Sequence, residues 1–206
     1  LVLHYTPILR LKKITQSITY APHFISTVVL CGIITAFFSQ SGIINQLGRI
    51  LFGAQAVDYM SYPRYWRSLF VGSGIWQNTG YNAIIYIAAL AGVSSELHEA
   101  AIMDGANRVQ RIWHIDIPSI MPTIIILLIM QCGKVMNVGF QKAYLLQNDL
   151  NTSVSEVIST YVYKMGLNKG QYSLSTAVGL FNNVINFTLV ILVNKAANKL
   201  SGSGLW

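Results

Sequence analysis

Three groups of polar side chains lie in stretches that are otherwise apolar. Gln131, Lys134 and Asn137 recur every three residues. Asn182, Asn183 and Asn186 fall on one side of a helix, with Gly179 and Asn194 roughly continuing that strip, and Trp76, Gln77, Asn78 and Tyr81 add stacking and hydrogen-bonding groups. An amide carries both a donor and an acceptor, so a strip of Asn and Gln matches hydroxyls such as those of a sugar. The same amides also bond helix to helix at roughly 0.6 to 2 kcal/mol each, and for any one residue the two roles weigh equally. Lys134 differs. An ionisable group inside a span is a functional candidate, unless it lies at the span's end and snorkels. Gly72, Gly74 and Gly80 read as close helix packing.

Nothing in the chain assembles catalytic chemistry. The string "HEAAI" begins like the zinc motif H-E-x-x-H, but Ile102 stands where the second ligand would have to be. The string "LSGSG" faintly resembles an ATPase signature, yet no G-x-x-x-x-G-K-[ST] phosphate loop is present, so the chain has no means of binding and splitting ATP. His4, His23, His98 and His114 are dispersed, without a nucleophile, base and orienting group converging on one place. No catalytic residue, metal site or cofactor is therefore expected. Cys31 and Cys132 read as small buried hydrophobes.

The elements that carry these residues follow from composition. Hydrophobic residues make up 53% of the 206-residue chain and charged residues 10%, against about 25% charge in soluble domains. Windows 14–48, 68–95, 117–133 and 170–194 contain no Asp, Glu, Lys or Arg. About 20 mainly apolar residues cross a bilayer as a helix, so about four spans are expected. The first window has room for an added interfacial turn, and the third is short unless Lys134 lies near its end. A soluble globule of this length could not cover four such windows with so few charges. The net charge of +7 is scattered through the loops, which fits phospholipid headgroups and argues against nucleic acid. The basic residues divide almost evenly between the two sides, with Lys142, Lys164 and Lys169 falling in the connecting segment 139–169, so the count leaves orientation open. The opening "LVLHYTPIL" followed by "RLKK" reads as the tail of an earlier span.

One segment breaks the apolar pattern. Residues 96–118, "ELHEAAIMDGANRVQRIWHIDIP", concentrate charge around Gly105. Ser94 or Ser95 can cap a helix whose first turn carries Glu96 and Glu99. Gly105 ends that helix most easily through positive φ. Asn107 and Gln110 have capping-box spacing for a second helix, and Pro118 ends the segment and begins the next span. Ala100, Ala101, Gly105 and Ala106 leave a small-residue corner that another surface can approach closely. Taken alone, the segment could equally be an amphipathic connector on the headgroups.

The full spacing is more specific: Glu99, Ala100 and Ala101, three residues, Gly105, nine residues, Ile115, one residue, Ile117, then Pro118. It resembles the E-A-A loop of membrane permease subunits of binding-protein-dependent ABC importers, with Ile117 where the family usually has Leu. The strings "GIINQLG", "YIAALAGVSSELHEAAIMDGA", "YVYKMGL", "STAVGLFNNVIN" and the terminal "GLW" resemble the oligosaccharide and polysaccharide branch related to maltose permeases. His98 stands where that branch commonly has Tyr.

The resemblance implies an all-α, polytopic transmembrane helix bundle of the type I ABC importer permease fold. It implies one permease domain over 1–206, lacking its amino-terminal span or spans, with a cytoplasmic coupling loop at 93–118. Glu99, Ala100, Ala101, Asp104, Gly105, Ala106, Ile115 and Pro118 would form the joint with an ATPase. The implied partners are a second permease subunit, two ATPase subunits that bind the ATP, an extracytoplasmic solute-binding lipoprotein, a carbohydrate substrate and the lipid bilayer, in the cell membrane of a prokaryote. Gln77, Asn78, Gln131, Lys134, Asn137, Asn182, Asn183 and Asn186 would face the substrate path. An importer for another solute, such as a peptide or amino acid, and a stand-alone membrane enzyme or structural bundle are the alternatives.

Overall fold

Backbone that has no water to bond must satisfy itself internally, and the apolar windows do so as helices. The computed structural model describes residues 8–202, 204 and 205. The expected tail of an earlier span at residues 1–7 and the terminal Trp206 lie outside the described residues. Every regular element among the described residues is helical: α1 (Leu9–Tyr20), a 3-10 turn (Ala21–Phe24), α2 (Thr27–Phe38), α3 (Ile43–Phe52), α4 (Pro63–Ala91), α5 (Ser95–Met103), α6 (Arg108–Arg111), a π turn (Ile112–Asp116), α7 (Ile117–Cys132), α8 (Phe140–Leu146), α9 (Thr152–Ser155), α10 (Ile158–Tyr163), a second π turn (Lys164–Asn168) and α11 (Tyr172–Ser201).

Thr27–Phe52, Arg108–Cys132 and Tyr172–Lys199 have the length and apolar composition to cross a membrane. Helix α4 has 29 residues, about 43 Å at 1.5 Å per residue, and covers the second window with a more polar sequence. The first window is not one helix. Pro22 lies in the 3-10 turn, Ser26 caps α2 by accepting from Val29 N at 3.3 Å, and Ser39 and Gly42 are both extended, so α2 and α3 are separate elements of 12 and 10 residues. Segment 139–169, read from sequence as a connection, is largely helical as α8 to α10.

The contacts divide the chain into two compact units. One holds the described residues of Leu1–Ala21, Thr79–Lys134 and Asn186–Trp206, with Leu90, Ile120, Ile125 and Ile129 buried in it. Here Gly80 does pack closely: a Cβ at that position would collide with the Thr19 backbone of α1. Gly72 does not, since a Cβ there would meet nothing within 4 Å.

The other unit holds Pro22–Asn78 and Val135–Ile185, around a core of Leu30, Cys31, Ile34, Met60, Trp66, Ala143 and Leu146. The Trp66 indole donates to the Leu146 carbonyl at 3.2 Å and its ring stacks on Phe70 at 4.9 Å between centroids. Buried Asn45 ties the end of α2 to residue 57, donating to the Ser39 and Val57 carbonyls at 2.7 and 2.6 Å and accepting from Val57 N at 2.9 Å. Burial pushes the Glu156 carboxyl up, but hydrogen bonds from Lys164 and Thr160, each at 2.8 Å, outweigh it and hold it below its ordinary value. Its stabilisation is present above the unfolded pKa and is lost as pH falls through the folded one.

Candidate functional site

The charged segment folds into a rigid elbow. Ser94 caps α5, accepting from Glu96 N at 3.2 Å, and Glu96 occupies the first turn, where an acidic group is favoured by the helix dipole. The helix ends in the two bonds of a Schellman motif: Ala106 N to Ala101 O at 2.8 Å and Gly105 N to Ile102 O at 3.0 Å. Gly105 has φ +79°, as its position demanded. Asn107 and Gln110 then form the reciprocal capping box, at 2.8 Å from Asn107 N to Gln110 Oε1 and 2.9 Å from Gln110 N to Asn107 Oδ1. All these bonds are local, which is why the sequence revealed them.

Pro118 stands in the first turn of α7, where the next span was expected to begin, but helical backbone already runs through the residues before it, from Arg108 to Cys132. Proline removes one helix donor and its ring crowds the carbonyl four residues back. The π turn at Ile112–Asp116, with Ile117 N bonded to Ile112 O, widens the helix just before the proline and lets it continue. The second limb of the elbow is therefore continuous with the membrane-length helix.

A second tie braces the elbow. His98 Nε2 of α5 lies 3.3 Å from Oδ1 of Asp116, whose side chain has no solvent exposure. We expect a double-mutant cycle on His98 and Asp116, read by thermal unfolding, to give a coupling of about 1 to 3 kcal/mol. A coupling near zero would remove the brace.

Glu99, Asp104 and Gly105 are exposed, whereas Ala101, Ala106 and Ile115 are half-buried. The inner side of the elbow forms a cleft of about 290 Å³ lined by Asp104, Gly105, Ala106, Gln110 and His114, among others. The elbow also carries exposed apolar side chains, Met103 at 87% and Trp113 at 64%, with Leu97, Ile102 and Val109 also exposed.

The residues expected on a transport path fall in both units. Gln77, Asn78, Asn137, Asn182 and Asn183 belong to one unit; Gln131, Lys134 and Asn186 belong to the other. Gln77 donates to the Ile25 carbonyl at 2.8 Å. Asn78 donates to the Gly74 carbonyl at 3.0 Å and its Oδ1 is 3.3 Å from His23 Nδ1. Asn182 donates to Asn137 at 2.9 Å. Asn183 is exposed and Asn186 is buried. Asn194, read as extending the strip, is also buried and accepts from Leu205 N at 2.8 Å. Lys134 is exposed in the turn just beyond α7, the position from which a lysine snorkels.

Sequence reasoning missed two features. Asn82 and Tyr86 join Gln131 along a cleft of about 510 Å³; their signal was their place in the second apolar window. Lys142, assigned to a connection, is 9% exposed inside α8 and donates to the Phe70 carbonyl at 2.7 Å. Gly74, read as helix packing, faces that ammonium instead.

Together these features define an all-helical, polytopic membrane protein with a capped elbow continuous with one membrane-length helix, and comparison with known proteins places it. The chain matches the binding-protein-dependent transport system inner membrane component family over residues 9–201 and belongs to that family. It is 44% identical over 196 residues to the protein LplB of Bacillus subtilis, covering 95% of this chain and 61% of that protein. It is 38% identical to the polygalacturonan/rhamnogalacturonan transport system permease protein YteP of Bacillus subtilis, covering 100% of this chain and 64% of the relative. The chain thus spans a little over three fifths of these relatives. A crystal structure of a bacterial alginate ABC transporter, in complex with an alginate pentasaccharide-bound periplasmic protein, contains a chain that superposes with a TM-score of 0.93 at 34% identity, covering 99% of this chain and 71% of that one.

Proposed function

We propose that the chain is a permease subunit of an ATP-driven importer and forms half of the translocation path for an oligo- or polysaccharide. It would work with a second permease subunit, two ATPase subunits that bind the ATP, and an extracytoplasmic solute-binding protein. The observation that carries this reading is the elbow: a capped corner, carrying exposed apolar side chains, continuous with a helix long enough to cross the membrane. Such a surface is what a protein partner covers.

In this reading the elbow faces the cytoplasm and seats in the ATPase. Glu99 and Asp104 hold the contact, the small surface of Ala100, Ala101, Gly105 and Ala106 admits it, and Ile115 and Pro118 carry it into α7. ATP binding moves the seat. Because helical backbone is continuous over Arg108–Cys132, the movement carries into α7 and shifts the populations of the two access states. The relatives named for polygalacturonan/rhamnogalacturonan and alginate support a carbohydrate cargo.

Affinity purification of the full chain from membranes tests this. Nucleotide-hydrolysing subunits should copurify, and vesicles holding the complex should take up oligosaccharide only with ATP and the binding protein present. Purification without such subunits would favour a stand-alone bundle, and a cognate binding protein loaded with peptide or amino acid would change the solute.

A further inference from the structure

Lys142 is only 9% exposed, and among the described residues no carboxylate lies within ion-pair distance of it. Its ammonium has three donors. It is held by the Phe70 carbonyl at 2.7 Å and lies 4.8 Å from the centre of the Phe70 ring. Burying a cation without a counter-charge is costly, so such a group persists where function uses it.

The surroundings point to the use. Phe70, Gly74 and Asn78 follow one another at four-residue spacing on α4 and share a stripe. Gly74 leaves the stripe open beneath the ammonium: a Cβ there would be 3.3 Å from Nζ. Within the same unit His23, Gln77, Asn78, Phe140, Gln141 and Lys142 line a cleft of about 560 Å³, within the range of small-molecule sites. Gln141 can bond hydroxyls, and among the described lining residues Lys142 is the only Lys, Arg, Asp or Glu.

We propose that this cleft is a subsite for a carboxylate-bearing sugar and that Lys142 is the residue that reads the carboxylate. The inference rests on the carbohydrate reading above and narrows the cargo to an acidic oligosaccharide. A carboxylate entering the cleft would supply the counter-charge that the fold withholds, through a charge-assisted hydrogen bond of the stronger class.

The test is equilibrium binding to the assembled, full-length complex in lipid nanodiscs without its binding protein, using a galacturonate trimer and its carboxyl-reduced, neutral counterpart. The unmodified complex should bind the acid at least about tenfold more tightly than the neutral trimer, as one charge-assisted bond allows. Lys142→Met should erase that preference, and Lys142→Arg should restore it. If Lys142→Met does not assemble, Lys142→Gln, which keeps a donor and removes the charge, must show the same loss. Equal affinity for both trimers in the unmodified complex, or a preference that survives removal of the charge, overturns the role of Lys142 and leaves the carbohydrate reading standing. Binding of neither trimer sinks both.

Discussion

Gly105→Val should reduce ATP-driven uptake by at least about tenfold, the consequence of roughly 1.4 kcal/mol or more lost from coupling, while the chain still inserts and accumulates in the membrane. The cause is conformational. Gly105 has φ +79°, where L residues are disfavoured by about 1 to 2 kcal/mol and β-branched ones by more. Space is not the obstacle, because a Cβ there would meet nothing within 4 Å in the chain itself. Valine must either stay strained or open the two bonds that end α5, and opening them swings Glu99 and Asp104 away from the Asn107 cap. The buried cores of neither unit include Gly105, so the spans should persist. Gly105→Asn separates the causes, since asparagine tolerates the left-handed region; it should restore the bend and recover more uptake than valine does. Uptake in membrane vesicles, normalised to chain quantity and set beside ATPase activity, checks both. Unchanged uptake in the valine variant would contradict the joint.

Asn151→Ala should destabilise the chain by about 3 to 5 kcal/mol, the range for breaking a buried hydrogen-bond network. Asn151 has no exposed surface. Its amide donates to the Met60 and Leu146 carbonyls at 3.0 and 3.1 Å, and its oxygen accepts from Asn148 N and Ser155 Oγ, both at 2.9 Å. The Leu146 carbonyl also accepts from Trp66 and the Met60 carbonyl from Asn148, so one side chain ties segment 147–157 to the start of α4. Asn151→Asp is the sharper variant: it keeps the acceptor and turns a carboxylate toward two carbonyls. Thermal unfolding of the purified protein measures the loss. A shift below about 1 kcal/mol would mean that water or neighbouring amides replace these bonds.

What sequence could and could not reveal follows from the range of each interaction. Ser94, Gly105, Asn107 and Gln110 act on backbone two to five residues away, so their types and spacing defined the elbow in advance. The uncharged windows marked membrane-length helices because a lipid-facing backbone leaves few options. The break between α2 and α3 had a local signal in the string "SQSG", outweighed by the uncharged window around it. Lys142 and Asn151 gave no local sign. Their partners, Phe70 and Met60, stand 72 and 91 positions away, and a lysine and an asparagine in a polar stretch look like solvated loop residues until the fold closes over them. The same holds for His98 and Asp116. The path amides remain the least legible, since the hydrogen bonds that would line a path also fasten helices, as Gln77 does with Ile25.

The account depends on the elbow being gripped by a separate nucleotide-hydrolysing subunit. Met103→Cys, at the most exposed apolar position of the elbow and with Cys132 replaced by serine, tests this in the full complex through a short thiol-specific crosslinker. The predicted result is a single adduct with the ATPase subunit, formed from the cytoplasmic side, with a yield that changes when ATP binds. Modification of that thiol by an impermeant reagent added only from outside, or the absence of any ATPase adduct, would contradict it.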